Sequence, residues 1–344
     1  MFTKRVQEKV SDFPSYFKTW AKTFSGGLTL FCVLSLALLP FLSQNVNFTY
    51  LFLRQFTLAM IFSIFAASWD LLTGIAGQIS FGHAIFFGIS SYVCAYLIKY
   101  QSFNVFLAML CGAIAAVLFG LTIGIPCLRL RGPYLALGTL ALSLILLKLF
   151  LMGSLADIFF GSEGIFGLKG LYPALSRNPV LEYFIIFISM VIVFIIIIQI
   201  TKSRFGTILK SIRDDELGAD ASGINTTRYK IYAFMLSALF AGIAGSFYTM
   251  YIGAVNPTGN FGTVISFFAI LMASLGGIAT ISGSALGAFF FIFLEYALIQ
   301  AGVEIYVHLI FAITLIIVVR FAEHGILRPL VERLKDLWDV LLGR

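Results

Sequence analysis

The sequence predicts an all-α fold, a polytopic transmembrane helical bundle of about 8–10 spans with broken helices and both termini in the cytoplasm. Three observations predict it. First, the 344 residues are 60% hydrophobic and 11% charged, with a mean hydropathy of +0.99. An ordinary soluble domain is roughly 45–50% apolar and about 25% charged, and a soluble globule of this size has no place to hide so much apolar surface. That excludes a cytosolic enzyme, a nucleic-acid-binding module and a disordered chain. Second, apolar runs of near-span length recur along the chain, each close to the roughly 20 residues a helix needs to cross the hydrocarbon. Third, Lys and Arg gather in alternate connections, as they do in the cytoplasmic loops of membrane proteins.

The elements follow in order. Residues 1–24 are polar and basic, with Lys4, Arg5, Lys9, Lys18 and Lys22 against Glu8 and Asp12, and form a cytoplasmic N-terminal segment. The apolar run Gly27–Leu42 follows without a small-x-small cleavage site, which reads as an uncleaved signal anchor. Further runs fall near 50–72, 80–98, 104–126, 134–152, 181–200, 231–252, 264–276, 283–300 and 305–321; 264–276 is short and 80–98 carries several polar residues. The membrane domain is therefore 25–321. With the N-terminus inside, the inside also receives Arg129 and Arg131, the loop 201–230 (Lys202, Arg204, Lys210, Arg213, Arg228, Lys230) and the tail after Arg320. The outside receives Lys99 and the segment 153–180 with Lys169 and Arg177.

In the tail 322–344, Leu327, Leu330, Val331, Leu334, Leu337, Trp338 and Leu341 recur at helical spacing between charged residues. That is an amphipathic helix, either lying on the bilayer surface or packed on a cytoplasmic partner. The four cysteines and three histidines are scattered, so neither a metal site nor a disulfide framework is suggested. The net charge of +7 marks membrane sidedness, not a nucleic-acid partner.

Three segments carry chemistry. In Leu72–Ala84, the glycines Gly74, Gly77 and Gly82 interrupt apolar sequence where a helix would otherwise continue. Irregular backbone at membrane depth survives only where protein buries it or a water-filled cavity meets it. A broken helix beside a polar path and close packing through small residues are both open readings. The second segment, Leu275–Ala288, holds a turn at Gly276 and Gly277 and then the pair Gly283 and Gly287; this GxxxG, like Gly120 and Gly124, reads as helix packing. The third is Ile212–Ile224, read as one short helix stopped by a left-handed residue near Gly223 and able to dock on another surface. Ser80 and His83 could share a helical face, but no acid completes a hydrolase arrangement. No GK[ST] phosphate loop occurs. Ionisable residues inside spans are few (Arg54, Asp70, Lys148, Glu295), which argues against a proton or sodium relay.

Together these segments resemble the LivM-type permeases of ABC importers, which handle branched-chain amino acids and, in a sister group, urea. The glycine segment is similar to the pattern G-Y-x-G-Q-x-S-x-G-H-A-x-F, with Ile75 at the usual aromatic position. Arg131-Gly132-Pro133-Tyr134-Leu135-Ala136-Leu137, Gly161 through Gly167, the loop from Arg204 to Lys230, Ala241-Gly242-Ile243-Ala244-Gly245 and Gly276-Gly277 resemble its later motifs. Ala279 stands where a glycine is usual and Ser284 where a proline is usual.

The resemblance covers about residues 50–300 and implies a permease subunit of an inner-membrane importer in a bacterial cell. Its implied partners are a second, paralogous permease, two cytoplasmic ABC ATPases, an extracytoplasmic substrate-binding protein and the bilayer. This chain would bind no cofactor; ATP and Mg would be used by the partner ATPases. The implied substrate path holds Gly74, Gly77, Gln78, Ser80, Gly82, His83, Gly276 and Gly277, and the implied ATPase-coupling residues are Arg213, Asp214, Asp215, Glu216, Ala219 and Gly223. The alternatives are a urea or short-chain amide permease of the same family and an ion-coupled secondary transporter.

Overall fold

A computed structural model describes residues 24–42, 48–127, 130, 132–155, 159–168, 170–171 and 179–321. The N-terminal basic segment, Arg129, Arg131, Lys169, Arg177 and the amphipathic tail lie outside the described residues. Contacts divide the chain into residues 1–53 with 329–344, and residues 54–328. In the first unit the described elements are α1 (Phe24–Leu42) and the opening turns of α2 (Phe48–Asp70). All other elements belong to the second.

Each of the ten apolar runs falls on a helix. Beyond α2 these are α3 (Ala84–Gln101), α4 (Val105–Cys127), α5 (Pro133–Leu151), α6 (Pro179–Lys202), α9 (Thr226–Ile252), α11 (Thr263–Gly276), α12 (Ile281–Gln300) and α13 (Val307–Phe321). Among the described residues, seven helical stretches are long and apolar enough to cross a membrane. The run that looked too short is completed by α10 (Pro257–Phe261), so that Pro257–Gly276 makes a 20-residue span. Asn256 caps α10 by accepting from the Gly259 N–H at 2.6 Å, with Pro257 at its first position, where a missing N–H costs nothing.

Burial separates central from peripheral helices. The stretch Phe52–Ile75 is 89% buried and Pro133–Leu151 only 28%. The peripheral helices turn large apolar side chains outward, such as Leu107, Leu110, Ile114 and Leu118 on α4, as lipid-facing helices must.

At the centre, α2, α3, α4 and α9 meet through small residues. Ser90 Oγ donates to the Gly242 carbonyl at 2.7 Å and Ser91 Oγ to that of Gly245 at 3.0 Å. A Cβ on Gly245 would fall on the Phe87 carbonyl, so α3 and α9 approach backbone to backbone. Both GxxxG pairs are packing contacts as the spacing predicted: Gly120 and Gly124 face Ala238 and Phe234 of α9, and Gly283 and Gly287 lie on the Gly276 and Met272 carbonyls of α11.

The two ends of α9 carry different structures. Just past its C-terminus, β2 (Ala254–Val255) pairs antiparallel with β1 (Ile165–Phe166). Lys99 Nζ donates to the Phe166 carbonyl at 2.8 Å and Leu168 N–H to that of Gly253 at 3.1 Å. Before its N-terminus lies the loop that contains α7 (Arg204–Asp214) and α8 (Glu216–Ala221). The two segments that the charge count assigned to opposite membrane faces therefore lie at opposite ends of one spanning helix.

Candidate functional site

The first break begins inside α2. Beyond Asp70 the helix widens into a π turn over Leu71–Ile75, then loses helical geometry until α3 starts at Ala84. Ala76 N–H reaches the Leu71 carbonyl at 3.2 Å and Gln78 N–H that of Leu72 at 3.0 Å, while Gly77 turns the chain with φ +70°. Only glycine takes that conformation without strain.

Side chains from several helices pin the unwound stretch. Trp69 Nε1 donates to the Ser80 carbonyl at 2.8 Å, Phe81 N–H to Thr139 Oγ1 at 3.0 Å, and Ala84 N–H to Ser266 Oγ at 2.8 Å. These bonds replace helical partners that the stretch has given up, as a low-dielectric setting requires.

The second break, at Gly277–Thr280 between α11 and α12, abuts the first. Asp70, fully buried, accepts from the Ala279 N–H at 2.7 Å. Gly74 lacks a side chain where one would overlap Asp70 Oδ1 and the Ala279 backbone. Ala279 has φ +65°, so the alanine standing in place of the family's usual glycine holds a left-handed conformation that costs roughly 1–2 kcal/mol.

The loop helices sit against the first break. Arg213, at the end of α7, donates from Nη1 to the Gly74 carbonyl at 2.9 Å, and its Nε and Nη2 reach Asp214 Oδ1 at 2.9 and 2.8 Å. A Cβ on Gly77 would lie 2.7 Å from Arg213 Cγ and 3.0 Å from its Cα. Beside this contact is a cavity of about 130 Å³ lined by Gly77, Gln78, Leu135, Arg213, Glu216 and Lys230, in which Lys230 Nζ pairs with Glu216 at 2.5 Å.

Several sequence expectations need correction. Arg213–Gly223 is not one helix: Asp215 is extended (φ −153°, ψ 101°) and its carboxylate accepts from the N–H groups of Leu217 and Gly218 at 3.1 and 3.0 Å. An aspartate that can cap a new helix competes with continuing the old one. Ala219 is buried within the chain, so its small size serves internal packing, and the exposed apolar residue of α8 is Leu217. The stop at Gly223 has the expected left-handed φ of +82°, with Gly223 N–H bonded to the Asp220 carbonyl and Ile224 N–H to that of Ala219.

The residues assigned to the path divide similarly. Gly74, Gln78, Ser80, Gly82, His83, Gly276 and Gly277 are all buried in the chain, Gly77 is half-buried, and Ile79 and Ile278 are the exposed members of the two breaks. Gly82 packs on the Thr139 carbonyl and Gly276 on that of Gly283. His83 lies between Phe65 and Phe86, with Nε2 2.9 Å from Ser68 Oγ. Ser80 and His83 share no helical face, because residues 76–83 are not helical. Sequence reasoning noticed Asp70 only as a span-end charge and missed Trp69, Thr139, Ser266 and Lys230. A carboxylate four residues ahead of a glycine cluster was the available signal for Asp70.

The geometry is that of a membrane bundle whose two unwound segments touch each other and a loop helix, without a catalytic constellation to act on a bound solute. Residues 51–319 match the model of a family described as the permease component of branched-chain amino acid transport systems. The chain belongs to that family. Among its relatives, the high-affinity branched-chain amino acid transport system permease protein LivM of Escherichia coli K12 is 27% identical over 279 residues, which are 72% of this chain and 65% of that protein. LivH of Salmonella typhimurium is 26% identical over 265 residues (71% of this chain, 84% of that protein), and BraD of Pseudomonas aeruginosa 24% over 301 residues (80% and 95%). The chain thus spans 65% of the length of the LivM proteins it matches, and no solved structure matches it. A multi-pass membrane permease of this family accounts for the spans, the breaks and the lack of catalytic groupings alike.

Proposed function

We propose that this chain is a permease subunit of an ABC importer that carries branched-chain amino acids across the bacterial inner membrane. ATP hydrolysis in two separate ATPase subunits drives it; a paralogous permease completes the pathway, and a soluble binding protein delivers the solute from outside. The chain itself catalyses no reaction, and ATP and Mg are held by the ATPases. The observation that carries this reading is the contact of Arg213 with the Gly74 carbonyl, which places a basic loop against an unwound membrane segment. A carrier driven by an ion gradient has no need of such a contact. The branched-chain solutes named for LivM, LivH and BraD favour these amino acids over urea or amides.

The test is to co-purify the chain with the partner subunits encoded beside it, reconstitute them in liposomes and follow labelled leucine and urea. The expected result is leucine uptake that requires both ATP on the ATPase side and the binding protein. Uptake by the chain alone along a sodium or proton gradient would overturn the reading, and urea uptake in preference to leucine would move it to the amide branch.

A further inference from the structure

Two side chains connect the loop helix to both breaks. The Gly74 carbonyl lies where the chain leaves helical geometry: Gln78 N–H, which would serve it in an α-helix, goes to the Leu72 carbonyl instead. Arg213 takes that vacated acceptor. Its guanidinium is a planar fork, held on its other edge by Asp214, so its orientation is fixed as an ammonium's would not be.

From the same turn, Asp70 reaches across 209 residues of sequence to the Ala279 N–H. Ala279 holds a left-handed conformation unfavourable for a side-chain-bearing residue, and Gly74 leaves room for the Asp70 carboxylate and the Ala279 backbone to meet. Loop helix, first break and second break are thus joined in series by two side-chain-to-backbone hydrogen bonds.

We propose that Arg213 and Asp70 are positioning residues that form a two-point clamp. Movement of the loop helices α7 and α8 enters the membrane at the Gly74 carbonyl through Arg213, and Asp70 makes the Gly277–Thr280 turn follow it. The proposal rests on the permease reading above and names how that permease is coupled.

The reconstituted complex tests it with Arg213→Ala, Arg213→Lys, Asp70→Leu and Asp70→Asn, each scored for leucine uptake and for ATPase activity stimulated by loaded binding protein. In Arg213→Ala and Asp70→Leu, uptake falls about tenfold or more, the scale of one lost charge-assisted hydrogen bond, while stimulated hydrolysis persists, so the ATP spent per leucine rises. Asp70→Asn keeps an oxygen acceptor for Ala279 and retains most uptake; Arg213→Lys, which loses the fork, does not.

Equal loss of uptake and stimulated hydrolysis would reduce both residues to structural staples and overturn the clamp. So would wild-type values in both. Should Arg213→Ala and Asp70→Leu fail to assemble, hydrogen exchange on the unaltered complex decides. Switching the ATPases between ATP and ADP should alter protection of the Gln78 and Ala279 amides together with those of α8, and a change confined to α8 overturns the clamp. A complete unaltered complex with no ATP-driven uptake refutes the permease reading, a result distinct from any of these.

Discussion

Replacing Gly77 with alanine isolates the contact between the loop helix and the first break. Gly77 and Gly223 both have left-handed backbone, with φ +70° and +82°. An alanine at either pays roughly 1–2 kcal/mol for that conformation, and each gains the same 0.4–1 kcal/mol or so from a stiffer unfolded chain. The surroundings differ. A Cβ at Gly223 meets nothing within 4 Å, whereas at Gly77 it lies 2.7 Å from Arg213 Cγ and 3.0 Å from Arg213 Cα, inside ordinary contact. The side-chain carbon can swing away; the Cα belongs to the backbone of α7, which must shift. Such overpacking costs about 1–3 kcal/mol, so Gly77→Ala should be the more destabilising by that difference. Thermal unfolding of the purified chain in detergent measures it, and leucine uptake by the complex should fall further in Gly77→Ala than in Gly223→Ala. Equal loss of stability in the two variants would show that backbone strain accounts for both and that Arg213 does not press on the break.

Three further outcomes are expected. Gly245→Ala drives a methyl into the Phe87 carbonyl and should cost about 1–3 kcal/mol, whereas Gly124→Ala, with its nearest neighbour 3.6 Å away, should be neutral or gain up to about 1 kcal/mol; the same unfolding assay tests whether that order holds. Asp215→Ala removes the cap of α8 and should cost about 1 kcal/mol locally, seen as roughly fivefold faster hydrogen exchange at Leu217 and Gly218, and unchanged exchange would mean the cap is idle. With the native cysteines replaced, Phe166→Cys should react with a membrane-impermeant thiol reagent on intact cells and Leu217→Cys only after lysis; both positions are exposed, and labelling of Leu217→Cys in intact cells would invert the topology.

The bundle was legible because its cause is compositional: apolar runs of span length have few other ways to exist. The stop at Gly223 was legible for a local reason, since a left-handed residue after a helix calls for glycine. The first break was visible as clustered glycines, yet its neighbours were not. Asp70 and Ala279 are far apart in sequence, and nothing local to either names the other. Asp215 misled because the same side chain suits a helix's first turn or its cap, and the choice depends on whether α7 has already ended against the break. Ala219 misled because smallness signals close approach without saying to what, and here the neighbour is the chain itself.

The π turn at Leu71–Ile75 stores length. Its Ala76 N–H reaches back five residues, to Leu71, where an α-helix would reach back four. Tightening that turn to α geometry ejects one residue toward the glycine stretch, and each residue of helix carries about 1.5 Å of rise and about 100° of rotation. The bulge is thus a reserve of one residue, held at the mouth of the break. Its release or capture changes the facing of everything beyond it by a discrete step, so the segment has detents, not a continuous hinge.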